Sequence, residues 1–218
     1  MRVVHGKGEV FCLNACGQTK IIGTIQDIHE HDQTKMLGVI QDITERKELQ
    51  SKLEEQANTD FLTGCDSRRH FLEKAEQELL RIRRYGGEMS MLMLDLDHFK
   101  NINDEHGHTV GDRVLKKLVQ VCGELLREVD VIGRLGGEEF AILLPETRIE
   151  QALEVAGRLC QAVAAAELPM DGAAPLHFTA SIGVAGLAAD DLRIAAILNR
   201  ADSALYKAKH AGRNRVCA

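Results

Sequence analysis

An α+β sandwich, with a mainly antiparallel central sheet flanked by helices, is the fold predicted for the 159 residues from Asp60 to Ala218. Two observations predict it. Four segments carry apolar residues at helical spacing, and the strand-like runs between them include a pair joined by a tight Gly136-Gly137 turn. Helices interrupted by a hairpin, rather than strict strand-helix alternation, favour antiparallel pairing.

In chain order, Phe71, Ala75, Leu79 and Ile82 mark the first helical stripe, and the apolar run Met89–Asp95 the first strand. Val114, Leu118, Cys122 and Leu125 mark the second helix. Val131–Leu135 and Phe140–Leu144 are the arms of the hairpin, because Gly-Gly turns tightly without steric cost. Ile149, Leu153, Ala156, Leu159 and Val163 form the third helical stripe, Phe178–Val184 the next strand, and Ile194, Ile197, Ala201 and Leu205 the fourth helix.

Residues 1–43 have a different character: short strands at Val10–Leu13, Lys20–Ile28 and Lys35–Ile43, separated by turn-rich segments. Residues 21–35 and 36–50 echo each other with six identities in fifteen positions, a duplicated strand or chance. Residues 44–59 link the two parts. Good helix formers dominate there, and Leu49, Leu53 and Ala57 form a narrow stripe suited to pairing with a second copy as a short coiled coil.

With 27 Lys and Arg against 33 Asp and Glu, the net charge of -6 argues against a protein that coats nucleic acid by neutralising phosphates, but leaves small phosphate ligands open. No apolar run approaches the roughly 18 residues a membrane span needs, and the start lacks a signal-peptide apolar region, so a soluble cytoplasmic protein is expected. Of six cysteines only Cys12 and Cys16 are closely spaced, and His5 is the one nearby candidate for a third zinc ligand. A zinc site needs four, which favours buried or edge-strand thiols.

The segment MLMLDLDHFKNINDEHGHTVGD gathers Asp95, Asp97, Asp104 and Asp112 with Lys100 around a strand-to-helix turn. Carboxylates at a strand end are costly to bury unless a cation neutralises them. Magnesium, which takes one or two carboxylates plus phosphate oxygens, is one reading; helix caps and surface acids are the other. The hairpin RLGGEEF shifts the balance. If its strands neighbour the Met89 strand, Asp95 and Glu138 converge beside a glycine shoulder that admits a bulky ligand, a suitable site for a metal-bound triphosphate.

RLGGEEF at 134–140 resembles the signature of the GGDEF family of diguanylate cyclases in its GGEEF form. So do DFLTGCDSRR, DLDHFKNINDEHGHTVGD, ASIGVA and ADSALYKAKHAGRNRV, five ordered motifs over Asp60–Val216. The resemblance implies a fold related to class III nucleotide cyclases and the polymerase palm. It also implies condensation of two GTP into cyclic di-GMP with release of two pyrophosphates, in a two-fold homodimer whose protomers each hold one GTP.

Under that resemblance Asp95, the Leu96 carbonyl and Glu138 are expected to hold two magnesium ions per site, with manganese as a substitute. Glu138 helps deprotonate the 3′-hydroxyl and Glu139 lies at or near the second metal. From spacing alone Asp97 is an equal candidate; the family pattern favours Asp95 and leaves Asp97 a structural role. Gly136 and Gly137 shape the substrate shoulder. Asn103 and Asp112 match the positions that read guanine, whose N1–H and N2–H suit a carboxylate and whose O6 suits an amide. Adenine would leave Asp112 without a donor, which disfavours a mixed guanine and adenine product. Lys100, Lys209, Arg213 and the backbone amides of His98 and Phe99 match phosphate-binding positions. Lys209 and Arg213 also suit an ordinary helix C-terminus, and Asp112 a helix cap.

Arg127-Glu-Val-Asp130 fits the R-x-x-D pattern of the family's inhibitory product site, with Arg158 as the secondary arginine from a partner domain; a plain salt bridge is the alternative. His98, His106 and His108 are expected to be structural. The chain departs from the family pattern at Cys65 and Ser67, where an apolar residue and Asn are usual. GTIQDI and GVIQDITERKE resemble the last strands of a PAS sensor domain running into a signalling helix, though 43 residues are too few for a whole one. A catalytically silent module that binds GTP or cyclic di-GMP is the alternative to an active cyclase.

Overall fold

The structure, a computed structural model, describes residues 4–14, 17–30, 33–42, 58–170 and 172–218. The chain divides into two compact units, Met1–Gln56 and Ala57–Ala218.

In the first unit, β1 (Val4–Asn14), β2 (Gly17–Glu30) and β3 (Gln33–Asp42) form an antiparallel sheet in the order β1-β2-β3. All three expected strands are present, and the first is much longer than its apolar run. The helix expected from Thr44 to Asn58 lies outside the described residues except at its end, as does Cys16.

The second unit starts with β4 (Asp66–Ser67) and α1 (Arg68–Tyr85), capped by the Ser67 hydroxyl, which accepts the His70 amide. Next come β5 (Met89–Leu96), α2 (Phe99–His106), α3 (His108–Leu125), β6 (Val131–Gly136) and β7 (Glu139–Pro145). α4 (Ile149–Ala165), β8 (Glu167–Met170), β9 (Ala173–His177), β10 (Ala180–Gly186), α5 (Ile194–His210) and β11 (Val216–Cys217) complete it.

One six-stranded sheet runs β11-β10-β5-β7-β6-β4. Its four inner strands are antiparallel, and the two-residue outer strands pair in parallel. β5 is buried along all eight residues because both sheet faces are covered, which explains its continuous apolar sequence. Leu92, Leu94, Leu96, Phe140 and Ile142 pack with α3 and α4 on one face. Met89, Met91, Met93, Ala141 and Leu143 pack with α1 and α5 on the other. The sheet with helices on both faces matches the expected sandwich.

The sequence pattern predicts four helices for this unit; the described residues hold a fifth, α2, eight residues long and too short to show a stripe. The β8–β9 hairpin was not predicted either, and β10 begins at Ala180 rather than Phe178. Cys65, Cys122, Cys160 and Cys217 are free, and burial pushes the Cys122 thiol up to about 12, as for an inert core thiol. No helix among the described residues is long and apolar enough to cross a membrane.

Candidate active site

The strand register assembles an acidic corner at the C-terminal end of β5. Asp95 pairs across the ladder with Glu139 of β7, and the Leu96 amide donates to the Glu138 carbonyl at 3.4 Å. The hairpin thus lies beside β5, and Asp95, Leu96, Glu138 and Glu139 share one corner. On the α5 side, Lys209 Nζ lies 2.8 Å from Asp95 Oδ2.

A glycine brings that lysine in. A Cβ at Gly183 of β10 would lie 2.1 Å from the Ala201 carbonyl oxygen and from the Leu205 amide nitrogen, so α5 rests directly on the strand backbone. Burial pushes the Asp95 carboxyl up; Lys209 opposes the shift, while Glu139 and Asp97 add to it. Burial likewise raises Glu138, with Asp95 and Glu139 adding repulsion and Lys209 opposing.

Two carboxylates raised by burial and by neighbouring acids, with one ammonium paired to Asp95, form an oxygen donor set short of positive charge. Magnesium fits that chemistry. Among the described residues no three His, Cys, Asp or Glu side chains form a complete metal cage. Asp95, the Leu96 carbonyl and Glu138 are the groups at this corner that could hold such an ion, and they supply only part of the octahedral set of oxygens magnesium takes.

The base-reading candidates lie on the adjoining helix pair. Asn103 of α2 packs against Gly111 of α3, where a Cβ would be 1.9 Å from the Asn103 Oδ1. This contact sets Asn103 against the residue that precedes Asp112 in the chain. Asp112 is the fifth residue of α3, whose N-cap is Gly107, so it is no helix cap. His98 precedes α2 in the left-handed region at φ 57, and the His98 and Phe99 amides stand at the start of that helix, where anions are favoured. Lys100 and Arg213 are both exposed. His106 lies 3.9 Å from Glu105, and His108 opens α3.

The glycine turn is held from behind. Arg134 Nε and Nη2 donate to the Gly137 carbonyl at 2.9 and 2.7 Å, and Nη1 donates to both Asp60 oxygens at 3.1 and 3.3 Å. Burial alone would raise Asp60, but hydrogen bonds from Thr63 and Arg134 bring it below its usual value. Sequence reasoning missed this clamp and the Asn103–Gly111 contact. A glycine inside a helix, as in HTVGD, was the available signal for the second.

At the other end of β6, about six strand residues or about 20 Å from the turn, Arg127 and Asp130 form a salt bridge. Arg127 donates from its amide and Nη2 to Asp130 at 2.8 Å each, and from Nη2 to Thr147 Oγ1 at 2.8 Å. Arg158 is exposed on α4 and is not brought to this pair.

Residues 57–215 match the family model described as the GGDEF domain of diguanylate cyclases. Diguanylate cyclase DgcP of Pseudomonas aeruginosa is 43% identical over 173 residues, 78% of this chain and 26% of that protein. The coiled coil and GGDEF domain of DgcB from Caulobacter crescentus, solved in complex with c-di-GMP, superposes with a TM-score of 0.76 at 28% identity, covering 81% of this chain and 93% of that one. The active GGEEF domain of a diguanylate cyclase from Vibrio cholerae gives a TM-score of 0.66 at 37% identity, covering 70% and 96%. Of the first three curated relatives the chain spans between 26% and 45% of the length.

Proposed function

The chain belongs to the GGDEF family of diguanylate cyclases, and on that premise we propose that its second unit, acting as a homodimer, condenses two GTP into cyclic di-GMP with release of two pyrophosphates. The convergence of Asp95, Glu138 and Lys209 at the end of β5 carries this reading.

Each protomer binds one GTP. Asn103 and Asp112 take the guanine edge; the His98 and Phe99 amides, Lys100, Lys209 and Arg213 take the triphosphate, and Gly136-Gly137 leaves room for it. Magnesium, two ions per site with manganese as a substitute, would be held by Asp95, the Leu96 carbonyl and Glu138, with Glu139 beside the second, and supplies charge to stabilise the developing phosphorane. Glu138, raised by burial and by Asp95, is suited to accept the proton of a 3′-hydroxyl. Each hydroxyl attacks the α-phosphorus of the GTP on the facing protomer, so two P–O bonds form, two pyrophosphates leave, and a lone protomer cannot close the ring.

We read residues 1–43 as the closing strands of a PAS-like segment and residues 44–59 as the link that supports dimerisation. Arg127 and Asp130 bind the product as an inhibitor, with Arg158 supplied from a partner domain. The cytoplasm is where GTP and magnesium are at hand.

The test is chromatography of protein incubated with GTP and magnesium after bound cyclic di-GMP has been stripped, beside a Glu138→Gln control. Cyclic di-GMP and pyrophosphate from the unmodified protein alone support the cyclase. Nucleotide binding without product, at concentrations where the protein is dimeric, replaces it with a silent binding module.

A further inference from the structure

Asp97 is buried, 5% exposed, and its bonds run to two separate pieces of chain. Its Oδ2 accepts the Thr179 hydroxyl at 2.7 Å and the Asn214 amide at 2.9 Å; its Oδ1 accepts the Ser181 hydroxyl at 2.7 Å. Its own amide donates to the Thr179 carbonyl at 2.9 Å. Thr179 and Ser181 flank the start of β10, whose Ser181 pairs with Asp95. Asn214 belongs to the loop after α5.

That loop holds an unusual backbone. Gly212, Arg213 and Asn214 have φ of 113, 62 and 45. Asn tolerates the left-handed region, but Arg has no such ease, and a residue so placed persists only when its surroundings fix it. The fixings are few. Arg213 donates its amide to Ala208 and accepts Arg215 Nε at 2.9 Å; Asn214 Oδ1 meets Cys160 Sγ at 3.5 Å; the Asn214 amide is held by Asp97. Of these partners, the Asp97 carboxylate alone is anchored beside a metal-ligand position, two residues from Asp95.

We infer that Asp97 is a positioning residue for Arg213, holding the left-handed Arg213–Asn214 backbone against the strand pair that carries Asp95, so that the guanidinium is presented to the GTP triphosphate. The inference rests on the cyclase reading. It separates two roles that an aspartate in this motif can have. A metal ligand needs its negative charge. A positioning acceptor needs oxygens in place, and Asn supplies them, because Oδ1 can accept Thr179 and Asn214 while Nδ2 donates to a reoriented Ser181 hydroxyl.

The experiment compares Asp97→Ala, Asp97→Asn, Arg213→Ala and the Asp97→Ala/Arg213→Ala double variant, scoring KM and kcat for GTP and equilibrium binding of a non-hydrolysable GTP analogue. Asp97→Ala should weaken GTP binding about tenfold or more, as for loss of a charge-assisted contact, with a smaller change in kcat. Asp97→Asn should stay close to the unmodified protein. In the Arg213→Ala background the Asp97→Ala change should add little, since both act through one contact. Equal losses in Asp97→Asn and Asp97→Ala, an undiminished effect in the double variant, or an Asp97→Ala protein that binds normally each overturns the inference. Should Asp97→Ala fail to fold, Ser181→Ala replaces it, with a smaller weakening expected and unchanged binding counting against. Absence of product from unmodified protein tells against the cyclase reading, while the order of analogue affinities still decides the role of Asp97.

Discussion

Arg134 joins Asp60, 74 positions earlier in the chain, at 3.1 Å, and with the same guanidinium holds the Gly137 carbonyl. Both side chains are only 15% exposed. The residue at the entrance of the second unit and the turn beside the acidic corner are therefore mechanically one piece.

Arg134→Ala should lower both stability and turnover. Leaving Asp60 without its cation costs about 2 kcal/mol, below the usual loss for a fully buried pair, or about 4–8 °C in melting temperature. Because Asp60 is lowered in the folded state, its contribution is present above the unfolded carboxylate value and is lost as pH falls through the folded one. Melting curves should thus separate variant from parent at neutral pH and converge in acid. Curves equally far apart at both would remove the ion pair from the account.

Glu138→Gln should stop turnover, by about a hundredfold or more, yet make the protein slightly harder to melt. Burial and Asp95 raise Glu138, so the folded state holds its proton more tightly than the unfolded chain does. The carboxylate therefore costs stability once pH has passed both values and costs none below them. With allowance for solvent screening the gain is about 1–3 °C at neutral pH, vanishing toward acid. A variant that melts earlier than its parent at neutral pH contradicts the assigned repulsion.

If Asp112 accepts both N1–H and N2–H, inosine triphosphate, which lacks the 2-amino group, should be used about tenfold less well than GTP. Asp112→Ala should narrow that preference. Identical kcat/KM for the two nucleotides in the unmodified protein would place the guanine edge elsewhere.

Arg127→Ala should abolish inhibition by added cyclic di-GMP, measured as initial rates against product concentration. Inhibition that persists at the same concentration would leave the Arg127–Asp130 salt bridge a purely structural corner.

The four long helices were legible because each turns one apolar stripe to the sheet, as Phe71, Ala75, Leu79 and Ile82 do. The acidic corner was legible from motif order alone. What stayed hidden depends on distance in the chain or on length. Arg134 and Asp60 carry no local sign that they meet. By spacing alone Asp97 and Asp95 are alike; the partners that set them apart, Thr179, Ser181 and Asn214 for Asp97 and Lys209 for Asp95, come from distant parts of the chain. β4 and β11 are two residues each and owe their pairing to the strands beside them. The β8–β9 hairpin contains Pro169 and Pro175, which weaken any strand pattern.

β4 and β11 bear on how copies of the six-stranded sheet can meet edge to edge. A long open edge offers a row of unpaired backbone groups on which another molecule can add its own strand, the route to runaway polymer. Here each side of the sheet ends in a two-residue parallel pairing, too brief to template such growth. On the proposed reading, in which product forms only while two protomers face each other, contacts that come apart are an advantage.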